Sequence, residues 1–231
     1  PANPIVFNPK VGVSYEHFNY NSFLFASDDD RIAVKPEGFV NYYLTGNLET
    51  LNDHYFPTRG VSVYAKAALH TDNGYGYNKG TPFASVSYSF RWALSATDRL
   101  TFIPSLYGRT LIGNEVAYSY YNYIGGEVAG RYMEQQIPFV GINHMETANR
   151  SVLTVNLEAR MRLFARHYIS LKGAYGIQNE NFFKMFTESR NLFGIGLKYA
   201  YNSPIGPISI LFDVSNIDKS LGVYFSLGKT F

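Results

Sequence analysis

Cysteine is absent from the 231 residues, so neither a disulfide framework nor a thiolate metal site can be built. No uninterrupted apolar run approaches the roughly 20 residues that a membrane-spanning helix requires. Charge is scarce as well: Asp, Glu, Lys and Arg make up 16% of the chain, against about 25% in an ordinary soluble domain. The formal net charge is +2 and the basic residues are scattered, which leaves no patch for nucleic acid. A serine hydrolase elbow is missing too. Gly12-Val-Ser14-Tyr-Glu16 and Gly60-Val-Ser62-Val-Tyr64 each lack the second glycine of Gly-x-Ser-x-Gly, so hydrolysis is not encoded here.

What is abundant is aromatic surface. Twenty tyrosines and 18 phenylalanines, beside one tryptophan, would make a water-exposed surface sticky, whereas a membrane face accounts for them. The mean hydropathy of -0.14 is compatible with that face. In a transmembrane β-barrel, lipid-facing and lumen-facing residues alternate, and the average stays near neutral.

Alternation is the dominant pattern. It predicts strands over 10–20, 39–51, 61–70, 84–94, 101–111, 151–165, 168–178, 192–201, 208–214 and 221–231. In 84–94, Ala84, Val86, Tyr88, Phe90, Trp92 and Leu94 share one face while Ser85, Ser87, Ser89 and Arg91 share the other. In 151–165, Leu153, Val155, Leu157, Ala159, Met161, Leu163 and Ala165 oppose Thr154, Asn156, Glu158, Arg160 and Arg162. Burying four successive amide and charged positions in a dry core costs several kcal/mol each, so that face is wet or paired. Lengths of about ten residues match a tilted strand crossing a bilayer. The fold class expected is all-β, a transmembrane antiparallel β-barrel with ten to twelve strands in one domain over 1–231.

One stretch breaks the alternation. Ile124 to Gly141 is too rich in glycine for a helix, too polar to face lipid and too long for a tight turn. The tyrosines before it, Tyr118, Tyr120, Tyr121 and Tyr123, suit a membrane interface. Asp28, Asp29 and Asp30 read as a solvated loop tip, because the spacing lacks the glycine and terminal glutamate of a calcium loop. His17, His54, His70, His144 and His167 have no metal-ligand spacing and no serine partner in phase, so they read as exposed or interfacial. No cofactor is implied. The start, Pro-Ala-Asn-Pro, has neither an initiator methionine nor a basic-then-apolar leader, as expected of a processed or partial chain.

Three motifs in order carry a resemblance. Asn52-Asp53 with Phe56-Pro57-Thr58-Arg59-Gly60 resembles the turn of the surface-antigen superfamily, which holds BamA-type assembly factors and two-partner-secretion transporters. Gly125-Gly126 with Gly130-Arg131-Tyr132 resembles that superfamily's lumen loop, although the order here is Gly-Arg-Tyr and not Arg-Gly-Tyr. Ser203-Pro204, Gly206-Pro207 and the ending Phe225-Ser-Leu227-Gly-Lys-Thr-Phe231 look like its last strands, apart from Lys229 at a position usually apolar or aromatic. More narrowly, Gly130 to Gly141 looks like the barrel of bacterial patatin-like phospholipases of the outer membrane.

The resemblance implies a sixteen-strand barrel in the outer membrane of a Gram-negative bacterium, of which this chain supplies part. It implies that upstream strands and an N-terminal patatin domain precede it, and that the barrel anchors or translocates that lipase. Alternatives are an assembly or secretion channel without a lipase domain and a self-contained outer-membrane enzyme, which the missing nucleophile disfavours. Expected partners are outer-membrane lipid, the protein's own N-terminal domain and a second copy of the chain. The implied lock joins Arg131 to a lumen carboxylate, Glu158 first, with Glu134 and Asp213 as alternatives.

Overall fold

The computed structural model describes residues 6–19, 37–127, 133–142, 146–217 and 219–228. Its strands are β1 (Val6–Phe18), β2 (Glu37–Glu49), β3 (Arg59–Thr71), β4 (Phe83–Ser95), β5 (Leu100–Ile112), β6 (Tyr123–Ile124), β7 (Gln136–Ile137), β8 (Glu146–Thr147), β9 (Ser151–Phe164), β10 (His167–Asn179), β11 (Arg190–Ser203), β12 (Gly206–Ser215) and β13 (Gly222–Leu227). Ten of them form one antiparallel sheet in the order β1-β2-β3-β4-β5-β9-β10-β11-β12-β13. The remaining three, β7-β6-β8, form a small sheet inside the connection from β5 to β9. Among the described residues β1 and β13 are the edges of the large sheet, which is an open barrel wall.

The two faces differ as the alternation demands. On β9, Val155, Leu157 and Met161 are 43–50% exposed, while Thr154 and Arg160 on the opposite face are buried. The same split recurs on β4, where Val86, Trp92 and Leu94 face out and Ser85 is buried. Leu171 and Tyr175 on β10, Phe193, Ile195 and Leu197 on β11, Phe212 on β12, and Val223, Phe225 and Leu227 on β13 extend the apolar face around the wall. An apolar belt of this extent belongs against lipid and not water.

Strand length agrees. A strand such as β3, β4 or β10 has 13 residues, and at about 3.3 Å per residue and a tilt near 45° it projects roughly 30 Å, the thickness of a hydrocarbon core. No helix among the described residues is long and apolar enough to cross a membrane.

The sheet curls. Tyr120 donates its hydroxyl hydrogen to Glu16 on β1 (2.7 Å), and the Gly141 N–H donates to Asp213 on β12 (3.0 Å). In sheet order these strands are eight apart, roughly 38 Å on a flat sheet at about 4.8 Å per strand. Both flanks hold the same connecting segment only because the wall bends around it, polar face inward.

The connections at the two ends differ in length. At one end β4–β5, β9–β10 and β11–β12 are joined by 96–99, 165–166 and 204–205, with 50–58 joining β2 to β3. The opposite end carries 72–82, 113–150 and 180–189.

Candidate functional site

The insert, 113–150, is a hairpin connection that has been expanded and folded into the lumen. Its two strands, β5 and β9, are direct neighbours with Thr110 opposite Ser151, so the chain leaves and re-enters the wall at one place. Between them the segment seats Ile124, Ile137, Phe139, Val140 and Ile142 against Val152, Ala174 and Leu192 of the wall, all at most 5% exposed. Burying a side chain of Phe or Ile size stabilises by about 1.5–3 kcal/mol, and this cluster contributes that term to the folded-in state.

The wall is shaped to receive it. At Gly194 on β11 an added Cβ would stand 1.8 Å from the Val140 carbonyl oxygen and 3.1 Å from the Phe139 ring. Only glycine lets the insert backbone approach the strand this closely. Gly125 and Gly126, the pair singled out in the sequence, turn the insert at positive φ (127° and 77°), where a side chain is strained. The Gly125 N–H donates to the Ile137 carbonyl (3.0 Å), and Gln136 Nε2 donates to the Gly125 carbonyl (2.9 Å), which closes the insert on itself.

Polar tethers complete the seat. Arg109 on β5 donates to the Tyr120 carbonyl (2.7 Å) and to Asn122 Oδ1 (2.8 Å). Asn122 Nδ2 donates onward to the carbonyls of Asn149 (2.7 Å) and Arg150 (2.9 Å). Glu134 is ion-paired with Lys66 on β3. Among the described residues the most buried charge on the insert is Glu127, whose carboxylate accepts from Lys172 on β10 (2.7 Å) and from Lys198 on β11 (2.8 Å). Burial pushes the Glu127 carboxyl up, but the two ammonium groups outweigh it and hold it at about 2, against an ordinary 4.5.

The residues expected to lock the loop separate as follows. Gly130, Arg131 and Tyr132 lie outside the described residues, as do Phe231, His144 and Asp28 to Asp30. Glu158 accepts from Ser170 (2.8 Å) and lies 3.9 Å from Arg160 Nη1. Of the alternative carboxylates, Asp213 does hold the insert, through the Gly141 backbone N–H, and Glu134 holds it through Lys66. The Glu127 clamp reverses the expected charges: the carboxylate is on the insert and the cations are on the wall. Its signal in the sequence was two lysines, Lys172 and Lys198, in lumen-facing phase on consecutive strands.

The turn from β2 to β3 also faces inward. Asp53 Oδ1 accepts from the N–H groups of Tyr55 (2.8 Å) and Phe56 (2.7 Å), and Asn52 Oδ1 accepts from Thr58 (2.9 Å) and Arg59 (3.0 Å). These side-chain-to-backbone bonds fold 52–59 tightly without a ladder. Pro57 is buried, Gly60 exits the turn at φ 104°, and the side of Arg59 is exposed. Phe56 stacks on Tyr168 of β10 (4.3 Å between centroids, 13° between planes), and Arg160 donates to the Pro57 carbonyl. The turn motif is thus a cap pressed on the far wall. Phe225 and Leu227 of the closing strand point outward, 64% and 56% exposed.

Two expectations are corrected. His70 is neither exposed nor interfacial: it is 4% exposed, with Nδ1 2.8 Å from Asn41 Oδ1 and Nε2 2.8 Å from Ser85 Oγ. Both partners stand on neighbouring strands, and a scan within one strand does not see across the ladder. A serine partner therefore exists, in the atom order of a hydrolytic triad. Ser85 is itself 4% exposed, though, and none of the three lines either lumenal cavity. The network instead seats Tyr120, whose ring lies 4.2 Å from that of His70 and whose hydroxyl oxygen lies 3.0 Å from the Asn41 side chain. Tyr120 is the second correction, since it lies inside the lumen, 4% exposed, and not at a membrane interface.

A lipid-facing antiparallel wall, a polar lumen and an infolded connection are the features of an outer-membrane β-barrel. The sequence profile of the OMP85 superfamily matches residues 5–231, and the chain belongs to that superfamily. No curated protein matches the chain.

Proposed function

We propose that this chain is the membrane-embedded barrel of a patatin-like phospholipase, serving as anchor and translocator for the lipase domain, with the insert as its plug. The observation that carries the plug is the clamp of Glu127 between Lys172 and Lys198, which fixes the insert across the lumen. Outer-membrane barrels place short turns on the periplasmic side and long loops outside. On that rule the insert enters from the extracellular end and the β2–β3 turn caps the periplasmic mouth. Support for the lipase partner is the resemblance of Gly130 to Gly141 to the barrels of outer-membrane patatin-like phospholipases. Arg131 adds a second tether beside Glu127 in this reading.

The complete reading frame tests the partner. An upstream Gly-x-Ser-x-Gly elbow with lipid hydrolysis by the full protein supports it, and soluble repeats of the assembly-factor kind in that place support a secretion or assembly channel. The shared Asp53 to Gly60 turn favours that second reading equally. Lipid hydrolysis by residues 1–231 alone would defeat both in favour of a self-contained enzyme. For the plug, single-channel conductance should rise when the insert is shortened between 118 and 142.

A further inference from the structure

Between the insert above and the β2–β3 turn below lies a chamber of about 430 Å³. Among the described residues its walls carry four cations, Arg91 on β4, Arg160 on β9, Lys172 on β10 and Lys198 on β11, and two carboxylates, Glu127 and Glu158. Two positive charges are left over. The two lysines are engaged by Glu127, and Arg160 is engaged by the turn and stands beside Glu158. Arg91 is different: among the described residues its guanidinium has no hydrogen bond or ion pair.

The surroundings of Arg91 are those of an acceptor-rich ligand. In the sheet register Arg91 stands opposite Ser62 on one side and Ser105 on the other, and Ser105 stands opposite Asn156. All four side chains line the chamber, a row of hydroxyl, guanidinium, hydroxyl and amide at one height of the wall. The chamber is also lined by Phe56, Ile103, Phe139 and Val140, and the row at Arg91 is its donor-bearing part. A guanidinium fork with flanking hydroxyls offers donors in the plane that a tetrahedral or planar oxyanion requires. The surplus charge lies in a lumen enclosed by insert and turn, where counterions screen it less than at an open surface.

We propose that this chamber binds a phosphate-class oxyanion at Arg91, with Ser62, Ser105 and Asn156 as flanking donors. The phosphate comes from a soluble phosphate monoester or from a phospholipid headgroup entering by the periplasmic mouth. The site is separate from the insert's own tethers, since none of these four residues contacts Glu127, Asp213 or Glu16 through a hydrogen bond or ion pair.

The test uses the full chain refolded in detergent micelles, titrated with inorganic phosphate, glycerol phosphate and short-chain phosphatidylglycerol, with binding followed by phosphorus NMR line width at constant ionic strength. Saturable binding is expected, and Arg91→Gln should weaken it about tenfold or more, as loss of a charge-assisted donor implies. Arg166→Gln, an exposed turn arginine, should leave binding unchanged. Retained heat-modifiable migration of both variants in gels shows that the barrel still forms. Binding of the soluble phosphates assigns the source to free esters, and binding of the lipid alone assigns it to the headgroup. No saturable binding of any of the three, or equal binding by wild type and Arg91→Gln, overturns the proposal.

Discussion

Glu16 and Asp213 stand on opposite flanks of the ten-stranded sheet, and each accepts a hydrogen bond from the same insert, one from the Tyr120 hydroxyl and one from the Gly141 backbone. The insert is therefore more than a loop resting on a wall. It is a cross-brace whose two ends reach strands that have no ladder contact with each other. Removing it should loosen the curl, because the apolar cluster around Phe139 and the aromatic cluster around Tyr120 engage different strands.

The clamp at Glu127 should be the single largest polar contribution to docking. Its side chain is 6% exposed and faces two ammonium groups that are themselves 14% and 21% exposed. Glu127→Gln removes the hydrogen-bonded carboxylate of Lys172 and Lys198 and leaves Glu158, opposite Lys172, as the nearby one; breaking a buried pair costs up to about 3–5 kcal/mol. The expected outcome is a barrel that still folds but whose insert is cut by added protease and whose conductance in planar bilayers rises. An insert as protected as in the wild type would remove Glu127 from the plugging mechanism.

The pH dependence follows from the same carboxylate. Its folded value of about 2 lies below the ordinary 4.5, so the docked state binds fewer protons than the released one. The stabilisation is complete above about pH 4.5 and is lost as pH falls toward 2. Channel openings of the wild type should stay rare from neutral pH down to about 5 and increase only below 4.5. In Glu127→Gln openings should be more frequent at neutral pH and should change less across that window, the remainder coming from Asp213, Glu134 and Glu16.

Gly194→Ala tests the close approach. The new Cβ would meet the Val140 carbonyl oxygen at 1.8 Å, a backbone atom that cannot rotate away, so the insert must lift from β11. A neighbouring control is available on β10, where a Cβ at Gly173 would meet nothing within 4 Å. Gly173→Ala should leave thermal stability and conductance unchanged within error. Gly194→Ala should lower the unfolding temperature and raise conductance.

Much of the wall was readable because a strand between lipid and water must alternate, as β9, β11 and β12 do along most of their length; the buried run at 108–111 on β5 breaks the alternation where the strand enters the insert. Glycine density likewise exposed the insert near Gly125 and Gly126. What alternation could not supply was register. Lys172 lies directly opposite Glu158, and Lys198 lies opposite Ser170, so which cation meets which carboxylate depends on pairings between strands. The same blindness hid His70, whose partners Asn41 and Ser85 belong to the strands on either side. The inward tuck of the β2–β3 turn was hidden for a further reason: Phe56 and Tyr168 are far apart in sequence and meet only because the wall curls.

That turn yields the last prediction. Phe56 is 8% exposed, stacked on Tyr168, with the Arg160 guanidinium 5.7 Å from its ring centre. Phe56→Ala should lower stability by about 3–5 kcal/mol if the ring is as firmly held as a core phenylalanine. Tyr168→Ala alone should cost less, since that ring is half-buried. The double variant should fall short of the summed losses by about 0.5–1.5 kcal/mol, the coupling of a stacked aromatic pair. Chemical denaturation in micelles measures all three. Additive losses would mean that the turn is held by Arg160 and its own Asp53 and Asn52 bonds, and that the stack contributes area but no specific coupling.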